Sequence, residues 1–339
     1  MINIGIIGLG FMAATHIKAY RQVPGCRIAA LCNPSGRGLD GDFSNVSGNV
    51  GTQEPVKLDM TGVKRFTDFG EMLSDPEINV IDICTPTVTH LQFAREALAS
   101  GKHVLCEKPL ARTSAEAAEI AEIVQSAKGF FMPAMCLRFW PEWAWLKDAI
   151  KEGRYGKVLA ARFRRVAEPP AWGQKHFGEG KLSGGALLDL HIHDTDFVQY
   201  CFGVPKAVFS TGYTKYTGAI DHVVTQYLYA SGESIHAEGC WAMAPGFGFN
   251  MSYTVNFENA TADYDIARSA DALKLAHGKS SEVIKIDSKD GYVQELAYFL
   301  DCIRTGQQPS RVSAEDGWNS VKICEAEERS VATGLIVPC

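Results

Sequence analysis

Lys108 and His193 are the side chains of this 339-residue chain best suited to acid–base chemistry. Lys108 lies in the motif Glu107-Lys108-Pro109, directly after the apolar run His103–Cys106. An ammonium group at the end of a buried strand can donate to a substrate hydroxyl and stabilise the oxyanion that forms as a hydride leaves. Taken by itself, the motif is more typical of a surface Glu–Lys pair that precedes a helix.

His193 follows Asp189 by four residues. If the segment is a helix, these two side chains share one face and His191 points elsewhere. A histidine is the natural general base for an alcohol proton near neutral pH, and Asp189 can bind the substrate or orient the reacting groups. Two alternatives remain: a metal site formed by Asp189, His191, His193 and Asp196, and a polar cluster that only stabilises the fold. We favour the acid–base site and expect no bound metal.

The first thirteen residues predict a strand, a glycine turn and the start of a helix. The apolar run Asn3–Ile7 ends at Gly8-Leu-Gly10, and helical spacing begins at Phe11. Glycines let the backbone approach a pyrophosphate group, and free N–H groups at a helix N-terminus favour an anion. We therefore predict a dinucleotide site at Gly8, Gly10, Phe11 and Met12; the alternative is a tight turn that binds no ligand.

The end of the second predicted strand bears on the choice between NAD and NADP. An acidic residue commonly binds the ribose hydroxyls of NAD at this place, but here the chain reads Asn33-Pro-Ser35-Gly-Arg37. Asn33 can bond a ribose hydroxyl without repelling a 2′-phosphate, and Ser35 and Arg37 could bind that phosphate. Arg37 could equally be a solvated loop charge. The expected cofactor is NAD or NADP, with NAD slightly preferred.

Strands and helices alternate over the first 130 residues. The strand-like segments are continuous apolar runs, which are typical of a parallel sheet covered by helices on both faces. We therefore predict an α/β protein whose residues 1–130 form a Rossmann domain with a doubly wound parallel sheet. The predicted strands are Asn3–Ile7, Arg27–Cys32, Val80–Cys84, His103–Cys106 and Phe130–Ala134, and the predicted helices are Phe11–Arg21, His90–Ser100 and Ser114–Ala127.

The pattern changes after residue 130. Strand-like segments in series indicate hairpin connections and therefore a largely antiparallel sheet. We assign residues 131–339 to a second α/β domain with a large, mostly antiparallel open sheet. Its predicted strands are Val158–Val166, Ala207–Tyr216, Val223–Ala230, Ser234–Trp241 and Asn250–Phe257, and its predicted helices are Trp143–Lys151, Ala186–Phe202, Tyr292–Arg304 and Ala314–Ala332.

Composition restricts the partners. The net charge is −6 and no block of like charges occurs, which argues against binding to nucleic acid or to a membrane surface. The ten cysteines include no Cys-x-x-Cys pair, as in a reduced cytosolic protein. The uncharged run Gly239–Phe257 contains Pro245 and Gly246, and it predicts two strands joined by a turn rather than a membrane span. We expect a cytoplasmic protein that binds a small molecule.

Taken together, the motifs resemble the glucose–fructose oxidoreductase and inositol dehydrogenase family, also called Gfo/Idh/MocA. The resemblance covers essentially the whole chain, and it keeps the order and spacing of the family motifs. The combination is far more specific than any single motif. Its pieces are Gly8-Leu-Gly10, Thr85-Pro86-Thr-Val-Thr-His90, Glu107-Lys108-Pro109, and Gly184-Gly185 with Asp189 and His193.

The resemblance implies hydride transfer between a nicotinamide and a secondary alcohol, or the matching ketone, of a sugar, cyclitol or related polyol. It implies that Lys108 and His193 are the catalytic pair, that Asp189 lies beside the substrate, and that a homodimer or homotetramer forms through the C-terminal sheet. The residues implied at the cofactor are Thr85, Pro86, His90, Glu107 and Lys108, and those implied at the substrate are Lys108, Arg138, Trp172, Asp189 and His193. Two of these have an alternative: Trp172 could be exposed on a mobile loop, and Arg138 could form a structural salt bridge.

Two other functions remain open at this point. One is a glycoside hydrolase that uses NAD without net turnover, and the other is a non-catalytic dinucleotide sensor that binds a protein partner. Three departures from the common family pattern also occur, because Thr87 and Cys136 replace asparagines and His191 replaces a glycine. The substrate is therefore not transferable from any one family member.

Overall fold

The computed structural model describes residues 1–46, 48, 55–170, 177–286 and 290–339. They form two compact units, Met1–Phe139 with Lys289–Trp318, and Trp140–Ser288 with Asn319–Cys339. This division differs from the sequence-based one, which placed all of 131–339 in a second domain. One reason is that residues 131–134 form a strand of the first sheet. The other is that a helix from residues 291–305 packs into the core of the first unit.

The first unit contains a six-stranded parallel sheet in the order β3-β2-β1-β4-β5-β6. This is the predicted doubly wound arrangement, in which the strand order reverses between β1 and β4 and a crevice forms at the carboxyl ends of these strands. Its strands are β1 Ile2–Ile7, β2 Cys26–Cys32, β3 Lys64–Phe66, β4 Val80–Ile83, β5 His103–Glu107 and β6 Phe131–Ala134. Its helices are α1 Phe11–Tyr20, α2 Phe69–Leu73, α3 His90–Ala99, α4 Ser114–Ser126 and, from later in the chain, α8 Gly291–Thr305.

Apolar side chains cover both faces of the first sheet, which therefore lies in the interior of the first unit. Every residue of β4 and β6 is buried, as expected for parallel strands that helices cover. Leu296, Phe299 and Leu300 of α8 join one buried cluster with Ile17 and Tyr20 of α1. The apolar stripe of α8 therefore belongs to the first unit even though it follows the long segment Trp140–Ser288 of the second unit in sequence.

The second unit contains a nine-stranded sheet in the order β14-β13-β12-β11-β7-β10-β9-β8-β15. It is mostly antiparallel, as predicted, with β7 and β10 as a parallel pair. The expected turn at Pro245-Gly246 does join two strands, but these strands lie on opposite sides of β7 instead of pairing with each other. The strands are β7 Val158–Ala167, β8 Ala207–Tyr213, β9 His222–Leu228, β10 Ser234–Cys240, β11 Phe249–Phe257, β12 Ala260–Asp265, β13 Leu273–His277, β14 Ser280–Val283 and β15 Val337–Pro338.

Helices cover one face of this second sheet. An aromatic cluster anchors them: the Trp143 ring lies 5.8 Å from that of Phe163, 4.8 Å from that of Phe197 and 5.2 Å from that of Tyr253. The opposite face is open and carries exposed apolar side chains such as Phe209. The helices are α5 Pro141–Lys151, α6 Gly180–Ser183, α7 Ile192–Phe202 and α9 Ala314–Thr333, and a π-helical turn at Leu187–His191 precedes α7.

All ten cysteines are free thiols in the structure. In the described part of the chain, no helix is both long enough and apolar enough to span a bilayer. The run Gly239–Phe257 was predicted to form two strands joined by a turn, and it contains the end of β10 and all of β11.

Candidate active site

The turn after β1 has the geometry of a phosphate cradle. Gly8 has φ +85°, and a Cβ at this residue would lie 2.7 Å from the Cys84 carbonyl and from Thr85. Gly10 is the N-cap residue directly before α1, and a Cβ there would meet no heavy atom within 4 Å. The first turn of a helix has unpaired N–H groups, and here they follow an open glycine backbone. The residues present therefore fit a bound pyrophosphate group.

The loop after β2 is organised by Asn33. Its side-chain amide donates to the Arg37 carbonyl at 2.6 Å, and its Oδ1 accepts from the Ser35 hydroxyl at 3.1 Å. Ser35 and Arg37 are exposed. The Asn33 side chain thus shapes the turn, while the hydroxyl of Ser35 and the guanidinium of Arg37 lie on its outer surface.

His90 has a positioning role that differs from the predicted direct cofactor contact. Its ring is 1% exposed, with Nδ1 2.8 Å from the Pro109 carbonyl oxygen and Nε2 2.9 Å from the Thr85 carbonyl oxygen. Burial lowers the pKa of His90 and favours the neutral ring. A neutral ring carries one N–H, so His90 packs between the loops after β4 and β5 and donates to one of these two carbonyls. Thr85 is half-buried and Pro86 is exposed, so these two residues remain available to a ligand.

Glu107 and Lys108 follow one another at the carboxyl end of β5 but have different environments. Glu107 is 5% exposed, and its Oε2 accepts from the Lys108 N–H at 3.0 Å. Its Oε1 lies 3.1 Å from Nε2 of His16. The carboxylate thus points into the protein, whereas Lys108 is half-buried. Of the two predicted cofactor contacts, Lys108 has the accessible side chain.

Arg138 was predicted either to contact the substrate or to form a structural salt bridge, and the structure shows a salt bridge. Its side chain is almost fully buried, lies 3.3 Å from the Asp316 carboxylate and donates to the Arg311 carbonyl at 2.9 Å. The Arg311 guanidinium in turn donates to the Arg138 carbonyl and covers the Phe139 ring at 4.5 Å. These contacts hold the segment after β6, and they occupy the group that was predicted to bind substrate.

The second unit places Asp189 and His193 on a largely buried stretch. Between Ser183 and Gln199, all residues are buried except Asp189, Leu190 and His193. Asp189 lies in the π-helical turn and His193 in the first turn of α7. π-Helical turns inside α-helices occur frequently at functional sites. The two polar side chains predicted to share a face are therefore the polar residues of this stretch that are not fully buried. The Trp172 expected nearby lies outside the described residues.

The polar residues between and after them are structural. His191 is fully buried, with Nε2 3.3 Å from the Tyr227 hydroxyl and 3.4 Å from the Glu327 carboxylate. Its ring packs so closely on Gly239 that a Cβ there would lie 2.5 Å from its own Cβ. Asp194 accepts from Arg165 at 2.7 Å, and burial raises the pKa of this carboxyl.

The alternative metal site is not assembled. In the described part of the chain, Asp189, His191, His193 and Asp196 do not bring three possible ligand atoms together. Asp196 instead accepts from the Ser320 hydroxyl at 3.1 Å.

Sequence reasoning missed a buried polar cluster under the glycine turn. His16 of α1 and Asp82 of β4 are fully buried, with Nδ1 2.8 Å from Oδ2, and the Tyr20 hydroxyl donates to the same carboxylate oxygen at 3.0 Å. The signal was present in the sequence. A carboxylate inside the apolar strand Val80–Ile83 needs a buried partner, and a histidine at a core position of α1 can supply it.

Two sequence profiles match the chain. The profile of the oxidoreductase family with an NAD-binding Rossmann fold, GFO_IDH_MocA, matches residues 2–135. The profile of a GFO/IDH/MocA C-terminal domain matches residues 143–263. Together the two matches cover more than half of the chain and both of its units.

Several relatives are named as dehydrogenases. The chain is 25% identical to the scyllo-inositol 2-dehydrogenase (NAD(+)) of Bacillus subtilis over 99% of this chain and 96% of the relative. It is 25% identical to the myo-inositol 2-dehydrogenase of Thermotoga maritima over 97% of this chain and 96% of the relative. Levoglucosan dehydrogenase of Pseudarthrobacter phenanthrenivorans is 31% identical over 61% of this chain and 53% of the relative.

Solved structures share the fold. A levoglucosan dehydrogenase in complex with NADH and levoglucosan superimposes with a TM-score of 0.85 at 23% identity, over 99% of both chains. An NAD-binding oxidoreductase from Klebsiella pneumoniae gives a TM-score of 0.83 at 22% identity, over 99% of this chain and 98% of the other. At this identity, the likeness shows the α/β architecture of both units.

Proposed function

Since this chain belongs to the GFO/IDH/MocA oxidoreductase family, we propose that it is a cytoplasmic enzyme that transfers a hydride between NAD(P) and a sugar, cyclitol or related polyol. The reacting group is a secondary alcohol or the matching ketone. The observation that carries the proposal is the accessibility of Asp189 and His193 on an otherwise buried stretch. The glycine turn that fits a pyrophosphate group supports it, as do the dehydrogenase activities named for the relatives.

In this mechanism His193 accepts the hydroxyl proton of the substrate. Lys108 donates to the same oxygen and stabilises the negative charge that develops on it. Asp189 binds neighbouring hydroxyls and orients the polyol. When bound, the nicotinamide supplies the hydride acceptor, and its reduced form supplies the hydride in the reverse direction. His193 then returns the proton to the oxygen of the ketone.

A substrate panel tests this proposal. Purified protein is mixed with NAD⁺ or NADP⁺ and a series of sugars and cyclitols, and absorbance of the reduced nicotinamide is followed. We expect steady reduction with at least one polyol and a large but measurable fall in that activity in Lys108→Ala. Hydrolysis of aryl glycosides without added dinucleotide, or dinucleotide-dependent capture of a protein with no turnover on any polyol, would contradict the proposal.

The loop after β2 governs the choice of dinucleotide. Asn33 carries no negative charge and is engaged within the turn, so it does not repel a 2′-phosphate. Arg37 is exposed and makes no ion pair within the described residues. We expect NADH and NADPH both to bind in a fluorescence titration, with NADH slightly preferred. Arg37→Ala should weaken NADPH and leave NADH unchanged; an equal loss for both would show that Arg37 does not contact the 2′-phosphate.

We also propose that the open face of the second sheet joins copies of the chain into a homodimer or homotetramer. This face carries exposed Phe209, Tyr213 and Val224, and apolar groups of this kind gain free energy when an association removes them from water. Sedimentation equilibrium should give two or four times the chain mass of 37.0 kDa. A monomer at micromolar concentration would exclude this assembly.

A further inference from the structure

We propose that His16 is a positioning residue for Lys108, acting through the buried chain Asp82–His16–Glu107. The inference rests on the proposed function, in which Lys108 contacts the reacting oxygen. His16 itself is fully buried in α1 and touches no ligand. It acts on the site only through the carboxylate that holds the backbone of Lys108.

Three contacts connect Asp82 to Lys108: a hydrogen bond, an ion-pair contact and a second hydrogen bond. Oδ2 of Asp82 is hydrogen-bonded to Nδ1 of His16 at 2.8 Å, and Nε2 of the same ring lies at ion-pair distance, 3.1 Å, from Oε1 of Glu107 without the alignment of a hydrogen bond. The other oxygen of Glu107 accepts the N–H of Lys108 at 3.0 Å. The three linked side chains belong to β4, α1 and the end of β5. The position of the backbone of Lys108 therefore depends on residues at the centre of the sheet.

The charge of the His16 ring compensates the buried carboxylates near it. A buried carboxylate is costly unless an opposite charge compensates it, and here one imidazole lies between two carboxylates. Burial alone would lower the pKa of His16, but Asp82 and, less strongly, Cys84 raise it well above its usual value. The other groups near the ring are the Tyr20 hydroxyl, on Asp82, and the Tyr292 ring, whose centroid is 6.4 Å away. A protonated ring is hydrogen-bonded to Asp82 and lies at ion-pair distance from Glu107.

A second histidine fixes the same loop from the other side. Nδ1 of His90 lies 2.8 Å from the carbonyl of Pro109, directly after Lys108. Burial lowers the pKa of His90, and the neutral ring donates to the Pro109 carbonyl in the tautomer that carries its proton on Nδ1. The backbone of Lys108 is thus held between a charged contact through Glu107 and a neutral contact through Pro109. Loss of the charged contact frees one side of the loop while the cofactor cradle at Gly8–Gly10 stays intact.

The test is a cycle between His16→Gln and Lys108→Ala, with His103→Gln as matched control. His103 lies at the opposite end of the same strand, β5. We expect His16→Gln to lower kcat by roughly 10- to 100-fold, as a misplaced catalytic group does, with the Kd for NADH unchanged. In the Lys108→Ala background it should cause no further loss, since its effect passes through the lysine. His103→Gln should keep full activity.

The outcomes separate the two proposals. If Lys108→Ala keeps wild-type turnover on the substrate, the proposed function fails. If Lys108→Ala is impaired and His16→Gln still lowers kcat within it, the positioning role fails. A stoichiometric metal bound by His16, Asp82 and Cys84, whose possible ligand atoms lie within 4.8 Å of one another, would also overturn it.

A measurement on the wild-type protein covers the case in which His16→Gln does not fold. The ¹⁵N shifts of the His16 ring report its protonation directly. Because its folded pKa is raised, the ring should stay doubly protonated above pH 6.5, the ordinary value, and lose its proton only as the pH rises through the folded pKa. A neutral His16 ring at pH 7 would overturn the proposal.

Discussion

Replacing His193 by alanine should lower kcat by roughly 10²- to 10⁴-fold, the usual share of general acid–base catalysis. The affinity for NADH should not change, because His193 is not part of the predicted pyrophosphate cradle at Gly8–Gly10. The expectation depends on the accessibility of His193 within a buried stretch, since a proton acceptor must reach its substrate. Steady-state kinetics on the substrate from the panel, with NADH titration in parallel, measure both quantities.

Two comparisons make this prediction specific. His277→Ala changes an exposed histidine of β13 and should leave kcat as it is. His191→Ala removes a buried ring that contacts Tyr227 and Glu327, and leaving a buried polar group without its partner costs about 1–3 kcal/mol of unfolding free energy. That variant should therefore be recognised by its melting temperature rather than by kcat. Full turnover by His193→Ala on the true substrate would remove His193 from the role of general base.

The contrast between His191 and His193 shows what the sequence could and could not predict about the site. Helical spacing indicated correctly that the two rings point in different directions. It could not indicate that the preceding turn is π-helical or that His191 pairs with Glu327, a residue of α9 far along the chain. Arg138 is a similar case, because its partner Asp316 is brought to it by tertiary packing.

The fold was predictable where a strand is a continuous apolar run. β1, β2, β4, β5 and β6 were placed within a residue or two of their observed bounds for this reason. β3 was missed because it is a three-residue edge strand, Lys64–Phe66, with two exposed side chains. β15, Val337–Pro338, pairs with β8 only after the chain has folded. The parallel pairing of β7 with β10 is also a tertiary property, since the chain between them contains two other strands.

Gly10→Ala should leave the protein as stable as before and weaken its binding of NADH. Gly10 has φ −100°, which alanine adopts without strain, and an added Cβ meets no protein atom within 4 Å. In the proposed complex that methyl group points into the space of the pyrophosphate. Overpacking a close contact costs about 1–3 kcal/mol, so the Kd for NADH should rise roughly 5- to 150-fold. Thermal melting without ligand and fluorescence titration with NADH measure the two effects.

Gly8→Ala provides the contrast, because its cost arises in the protein itself. At φ +85° an alanine loses about 1–2 kcal/mol to backbone strain alone, and its Cβ would lie 2.7 Å from the Cys84 carbonyl, which cannot rotate away. Gly8→Ala should therefore lower the melting temperature of the ligand-free protein, whereas Gly10→Ala should not. If Gly10→Ala binds NADH as tightly as the wild type, the space above the start of α1 is not where the pyrophosphate lies, and the assignment of this turn as the cofactor cradle must be abandoned.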